Sequence, residues 1–326
     1  MPITSLPGGA SSFGIPLIGP GVYDAPPGEV FFVCNRTGAQ SGDGSTRDRP
    51  LTSIADAVVK IATTNPTLGA WIVALPGHAE NVTGSNVFSA SLVNTGSVTI
   101  PAGTRIIGEG KYNQRPALTF TAAGSTIALA NSACSVENFQ ILGPQTGTTT
   151  VAALFTVTGA FCQVLACDMN MATSATALCT TAISTSSAAT GFVAADNNAW
   201  ATTGTPTSWY APTGTVGANR VQVLRNNVQL PLSATTGGCV DLTANSGTAP
   251  IGWLIADNSF ANTTASSTVA LKGVSGCAGI VAYNSLAITN GTGGATAINT
   301  PGNWNMFQNF GGVVAKQGIA ITPTSG

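Results

Sequence analysis

An Asn or Asp introduces a short strand-like segment seven times, at positions 138, 168, 198, 227, 258, 284 and 309. Successive steps are 30, 30, 29, 31, 26 and 25 residues. Typical instances are Val136-Glu-Asn-Phe-Gln-Ile141, Asp196-Asn-Asn-Ala-Trp200 and Ala256-Asp-Asn-Ser-Phe260. A period of this length, with two or three short strands per repeat and no helix, predicts a β-solenoid in which each repeat is one coil. Coils stack about 4.8 Å apart, so equivalent side chains form ladders. Asn138, Asp168, Asn198, Asn227, Asn258, Asn284 and Asn309 are therefore expected to share one corner, with stacked amides bonding from coil to coil. Val, Ile, Leu, Phe, Cys and Ala are expected inside, Thr and Ser outside.

The repeat also accounts for an unusual composition. Lys and Arg number 11 and Asp and Glu 12, so charged residues make up 7% of the chain, against about 25% in an ordinary soluble protein. Stacking brings like side chains within ~5 Å, where like charges repel. The balance also excludes function classes. Eleven cations offset by twelve anions do not form a nucleic-acid footprint. Disorder usually combines high charge with low hydrophobicity, but here hydrophobic residues reach 44%. The Glu, Lys, Leu and Arg content of helical bundles is missing, and every apolar run ends well short of the roughly 20 residues a membrane helix needs. The expected class is all-β, with no membrane or nucleic-acid partner.

Residues 1–28 read as an extended Pro/Gly-rich arm, with Pro2, Pro7, Pro16 and Pro20 excluding helix and central strand. Such an arm becomes ordered if it lies along its own domain or is pinned by neighbouring subunits. Residues 29–326 read as a single solenoid domain. It opens with the strand-like Glu29-Val-Phe-Phe-Val-Cys34. One short helix is expected over about 53–64, begun by the capping box Ser53-Ile-Ala-Asp56 with Ile54, Ala57, Val58 and Ile61 on one face. Met1-Pro-Ile-Thr-Ser-Leu-Pro carries no basic or apolar leader pattern, which points to synthesis in the cytoplasm. On that basis the sequons at Asn35, Asn81, Asn262 and Asn290 are chance products of a Thr-rich composition. The seven cysteines form no CxxC pair and accompany a single histidine, so they read as small buried hydrophobes and no metal site is expected.

Val30-Phe-Phe-Val-Cys-Asn-Arg-Thr-Gly38, Gly42-Asp-Gly-Ser45, Arg49-Pro-Leu-Thr-Ser-Ile-Ala-Asp-Ala57 and Pro101-Ala-Gly-Thr-Arg-Ile-Ile-Gly-Glu-Gly110 resemble the opening of a pectin-lyase-like right-handed parallel β-helix. In that superfamily a strand, a Gly/Asp loop and a short helix cap the first coil. The motifs cover residues 29–110, and only the period extends the resemblance further. It implies the fold and leaves activity open, because the fold serves polysaccharide lyases, glycosidases, phage tailspikes and inert virion proteins.

Candidates for chemistry are few. Past residue 115 the acids are Glu137, Asp168, Asp196, Asp241 and Asp257. Asp168, Asp196 and Asp257 fall at or beside the ladder and read as corner hydrogen-bonders. Glu137 and Asp168 lie one repeat apart and could face each other, without a basic partner nearby in sequence. His78, the sole histidine, has Glu80 two residues on and reads as a solvated turn rather than an acid/base pair. Asp43 reads as a turn residue. Trp200, Trp209 and Tyr210 surround a Thr/Gly/Pro-rich segment and are candidates for partner or glycan contact, with packing or subunit contact favoured over sugar. No catalytic residue, cofactor or metal is expected.

Taken with the resemblance, these features lead to the expectation of a virion structural protein: a bacteriophage capsid decoration or cement protein, homotrimeric, contacting the major capsid protein through its arm. The alternative is a tailspike-like receptor-binding protein or polysaccharide depolymerase.

Overall fold

The computed structural model describes residues 10–12, 15–18, 29–36, 42–64, 69–92, 96–144, 147, 149–172, 174–213, 217–232, 237–243, 251–263, 270–273, 277–288, 298–299 and 303–313. The chain winds as a parallel β-solenoid with three sheets running its length. The first sheet has ten strands, from Val30–Val33 to Asn303–Phe307. The second runs from Ala79–Gly84 to Phe310–Val313, with the short antiparallel Val87–Phe88 at its edge. The third has seven strands, from Ile127–Leu129 to Ile298–Asn299. This architecture is consistent with the pectin-lyase-like superfamily.

Alternation along each strand decides which side chains enter the core. In the second sheet Ile141, Met169, Val228, Phe260 and Leu286 occupy one inward row, each at most 2% exposed. Val136, Val164, Ala194, Val223, Ile255 and Val281 form the matching row of the first sheet. Burying a Val, Leu, Ile or Phe contributes about 1.5–3 kcal/mol, and the rows supply this coil after coil.

The helix spans Ile54–Thr64, with Ser53 as its cap: the Asp56 N–H donates to Ser53 Oγ at 3.0 Å. Ile54, Ala57, Val58 and Ile61 are fully buried against the first coil. The Asp56 carboxylate accepts the hydroxyls of Thr52 and Ser91, each at 2.7 Å, tying the start of the helix to the loop after Phe88. A 3-10 turn at Tyr112–Gln114 is the other helical element among the described residues.

The ladder sits one residue away from much of its expected position. The buried amide column is Asn197, Asn226, Asn258, Asn284 and Asn309, each at most 2% exposed. Nδ2 of each of the first four donates to Oδ1 of the next at 2.9–3.0 Å. Asn258, Asn284 and Asn309 are thus ladder members as expected, whereas Asn138, Asp168, Asn198 and Asn227 are not. Asn138 takes the left-handed corner position just before the ladder (φ 60°). Asp168, Asn198 and Asn227 follow the ladder position and begin outward-facing strand rows, where Asn227 Nδ2 donates to Asn198 Oδ1 at 2.9 Å. A one-residue shift reverses the direction of a strand side chain, which separates the two columns.

The arm expected over residues 1–28 falls largely outside the described residues, including Pro2, Pro7 and Pro20. The described part is an antiparallel pair, Ala10–Ser12 with Ile15–Ile18, and Pro16 lies in its second strand opposite Ser11.

Candidate functional site

Three of the acids past residue 115 are each held by an arginine from another coil. Arg105 grips Glu137 with Nε and Nη2, each 3.0 Å from a carboxylate oxygen, while Ser135 Oγ donates to Glu137 Oε1 at 2.7 Å. The Arg105 guanidinium also lies 5.1 Å from the centre of the Trp71 ring. Arg115 Nη1 donates to Asp168 Oδ2 at 2.6 Å. Arg225 takes Asp196 in a two-point pair at 2.7 Å. These partners come from adjacent or next-but-one coils, 29 to 53 residues away in sequence, so their pairing is invisible along the chain. Glu137 and Asp168 do not face each other. Glu137 belongs to the first sheet, beside Ile107 and Leu165, and Asp168 to the second, beside Gln140 and Asn198.

His78 is buried, contrary to the expected solvated turn. It stands at the first-coil equivalent of the Asn ladder, because its carbonyl accepts the Ala117 N–H as the Asn197 carbonyl accepts that of Asn227. Its Nδ1 accepts the backbone N–H of Asn35 at 3.2 Å, which leaves the proton on Nε2 to be donated to Glu80 Oε2 at 3.1 Å. The same Oε2 accepts the Ile54 N–H at the helix start, at 3.2 Å. Both side chains have zero accessibility, so the pair joins three pieces of the first coil and is closed to a substrate. Asp43 is a turn residue as expected: its Oδ1 accepts the N–H and hydroxyl of Ser45, and these bonds hold its carboxyl below the ordinary range.

All seven cysteines are buried. Burial pushes the thiols of Cys167, Cys179 and Cys239 up to about 12, far from the thiolate form that reacts or binds metal. Among the described residues no three His, Cys, Asp or Glu side chains are gathered so as to hold a metal ion, and no helix is long and apolar enough to cross a membrane.

The three aromatic candidates separate. Trp209 and Tyr210 are fully buried, for which packing was the favoured alternative. Trp209 packs 6.2 Å from Phe260, and Tyr210 meets Trp253 edge-on at 5.5 Å while its hydroxyl shares a 2.5 Å hydrogen bond with Thr185. Trp200 alone points outward, on the second sheet, between Asn170 and Gln229 of the adjacent coils and two residues along from Asn198. An indole face bordered by amides and carboxylates can accept a sugar ring or a protein side chain.

The outer faces of the sheets differ, and the Thr and Ser expected outside are absent from the outward rows of the first sheet from Gln163 onward. The second sheet shows Gln140, Asp168, Asn198, Asn227, Ser259 and Ser285 in its first outward row, which ends on Phe310. The corresponding surface of the first sheet, from Leu165 onward, is predominantly apolar. The register needed to sort these residues is set by the buried ladder, which the period alone does not locate.

No protein-family model matches this chain, and no similar protein is found among curated proteins or solved structures.

Proposed function

We propose that this chain is a structural component of a bacteriophage particle, a homotrimeric capsid decoration protein that stabilises the shell through its N-terminal arm and subunit contacts. One observation carries the reading: polar and charged groups are spent on joining coil to coil. Five asparagines run down the interior as one hydrogen-bonded column, and Glu137, Asp168 and Asp196 are each held by an arginine of the same chain. Such a molecule resists deformation and presents a nearly neutral surface, which suits dense packing because little charge repulsion has to be overcome. The pairing of these three acids supports a structural rather than catalytic role, since a hydrolase of this chemistry needs two acids free to act across a bond.

The test is cryo-electron microscopy of purified particles that carry the chain. Solenoid density at regular positions on the shell, with residues 1–28 against the major capsid protein, is the expected result. Density confined to the tail, or particles without the chain, overturns it.

The outward Trp200 favours a second reading, a tailspike-like protein that binds or cleaves a bacterial polysaccharide. Release of new sugar ends from surface polysaccharide by the purified protein, lost in Trp200→Ala, would replace the capsid reading with this one.

A further inference from the structure

We propose that the outer face of the first sheet, from Leu165 to Phe307, is the surface through which copies of this chain pack around a common axis parallel to the solenoid. The inference rests on the homotrimer reading for the number of copies, and locates the contact.

Strand register places two outward rows on this face. One holds Gln163, Val193, Gln222, Leu254, Ile280 and Asn305; the second holds Leu165, Ala195, Leu224, Ala256, Ala282 and Phe307. None of these twelve positions is charged. Toward the N-terminus the character changes abruptly, where Arg105 and Glu137 form their ion pair on the same face. Exposed large apolar side chains concentrate here as well. Among the described residues five of the eight, Phe161, Ile251, Ile280, Tyr283 and Phe307, lie on this face or along its borders. Ile280 is 40% and Phe307 53% exposed. The rows continue through six coils, with Ala195, Ala256 and Ala282 nearly covered at 3%, 7% and 4% exposed and set back between the larger side chains.

Three properties select a second copy as the occupant. The first is period: the face is ridged at the ~4.8 Å repeat of the strands, and another copy has the same repeat, twist and length. Leu165, Ala195, Leu224 and Ala256 alternate large and small along one row, so ridges of one copy fit the hollows of the next. The second is neutrality. Symmetry about an axis parallel to the solenoid places each residue near its own equivalents, which an uncharged face tolerates and a charged one resists. An uncharged face also provides little electrostatic steering for an unrelated partner.

The third is charge at the borders. The border toward the second sheet carries Asp196, Arg225 and Asp257, all exposed, and is net negative. The border toward the third sheet carries the exposed Arg220, at the start of the same coil as Arg225. In a closed ring the first border of one copy meets the other border of its neighbour at equal height, so Arg220 faces a net negative edge. A head-to-tail ring is the arrangement in which these two unlike borders meet.

The experiment is sedimentation velocity on the full chain at micromolar concentration. Wild type is expected to sediment as an oligomer, and Leu224→Lys and Ile280→Lys as a single chain of 32.5 kDa, a threefold fall in mass if the ring is a trimer. Asn227→Lys and Ser259→Lys, on the second sheet, keep the wild-type mass. If the Lys variants fail to fold, Ile280→Cys replaces them, since the native cysteines are buried. A short bis-maleimide then joins two Ile280→Cys chains, while Ser259→Cys chains stay single. A monomeric wild type, Lys variants that fold and keep the full mass, or equal cross-linking at both Cys positions each overturns the proposal. An oligomer built through this face but absent from particles sinks the capsid reading alone. A particle-bound chain whose folded Lys variants stay oligomeric sinks the face alone.

Discussion

Asn226 donates its backbone N–H and its side-chain Nδ2–H to the same oxygen, Oδ1 of Asn258, each at 2.9 Å. Asn258 repeats the arrangement toward Asn284, and its Nδ2 also reaches the carbonyls of Val223 and Ala256. Every amide in the column therefore satisfies backbone groups at a corner where no strand pairing can reach them. Asn258→Ala strips the acceptor from two buried donors of Asn226 and the Nδ2 donor from Asn284 Oδ1 and from the carbonyls of Val223 and Ala256, while the backbone N–H of residue 258 still reaches Asn284 Oδ1. Each orphaned group costs about 1–3 kcal/mol, so a loss of about 3–5 kcal/mol is expected. Asn227→Ala, one residue along but exposed, is expected to stay within about 0.5 kcal/mol. Urea unfolding of the two variants checks the contrast, and equal losses would place the column elsewhere.

The residue before the ladder adopts a left-handed backbone in coil after coil: Asn138, Ala166, Asp196, Arg225, Asp257, Tyr283 and Gln308 have φ between 44° and 60°. For a residue with a Cβ that conformation costs about 1–2 kcal/mol, and alanine has no side-chain hydrogen bond to offset it. Ala166→Gly is therefore expected to stabilise the protein by about 0.5–1 kcal/mol, a gain visible as a higher Tm. A lower Tm would mean that the added freedom of the unfolded chain outweighs the relief of strain.

The solenoid, its period and the capped helix were legible because each repeats or follows a local rule: the Asn recurrence, and Ser53 three residues before Asp56. The exact column was not, because Asn197-Asn198 and Asn226-Asn227 are adjacent pairs and either member satisfies the same spacing. Only the inward-outward alternation of the neighbouring strands separates them, and it has to be read with the register already known. The Arg115–Asp168 and Arg105–Glu137 pairs were hidden because stacking joins residues more than 30 positions apart. His78 looked solvated because Pro76-Gly77 marks a turn; nothing local shows that the turn's next residue enters a buried corner.

Glu80 links the first coil to the helix by accepting from Ile54 N–H and His78 Nε2–H with one carboxylate oxygen. Glu80→Ala leaves both donors buried without that acceptor, and about 2–4 kcal/mol of stability should be lost. The loss is local to the first coil. Hydrogen exchange is expected to accelerate at Ile54 and along the helix, and much less at the Asn ladder. Uniform acceleration along the whole solenoid would argue against a local role.

High pH is a specific vulnerability of this core. Cys167, Cys179 and Cys239 ionise near 9.0 when solvated, but burial raises each to about 12 in the fold, with Cys239 raised by burial alone. Between those values the unfolded chain has released thiol protons that the folded chain still holds. Stability must then fall as pH rises: it is fully present below about 9 and is lost progressively toward about 12. Each thiol contributes a slope of about 1.4 kcal/mol per pH unit within that window, which an exposed thiol would not. Urea midpoints measured under reducing conditions from pH 8 to pH 11 are expected to be flat at first and then decline. Cys239→Ala removes one of these contributions, so its decline should be shallower by about 1.4 kcal/mol per pH unit within the window even though its stability at pH 8 is lower. A decline of unchanged steepness in that variant would assign the loss to other groups, such as the buried Tyr210 hydroxyl, which burial also pushes up.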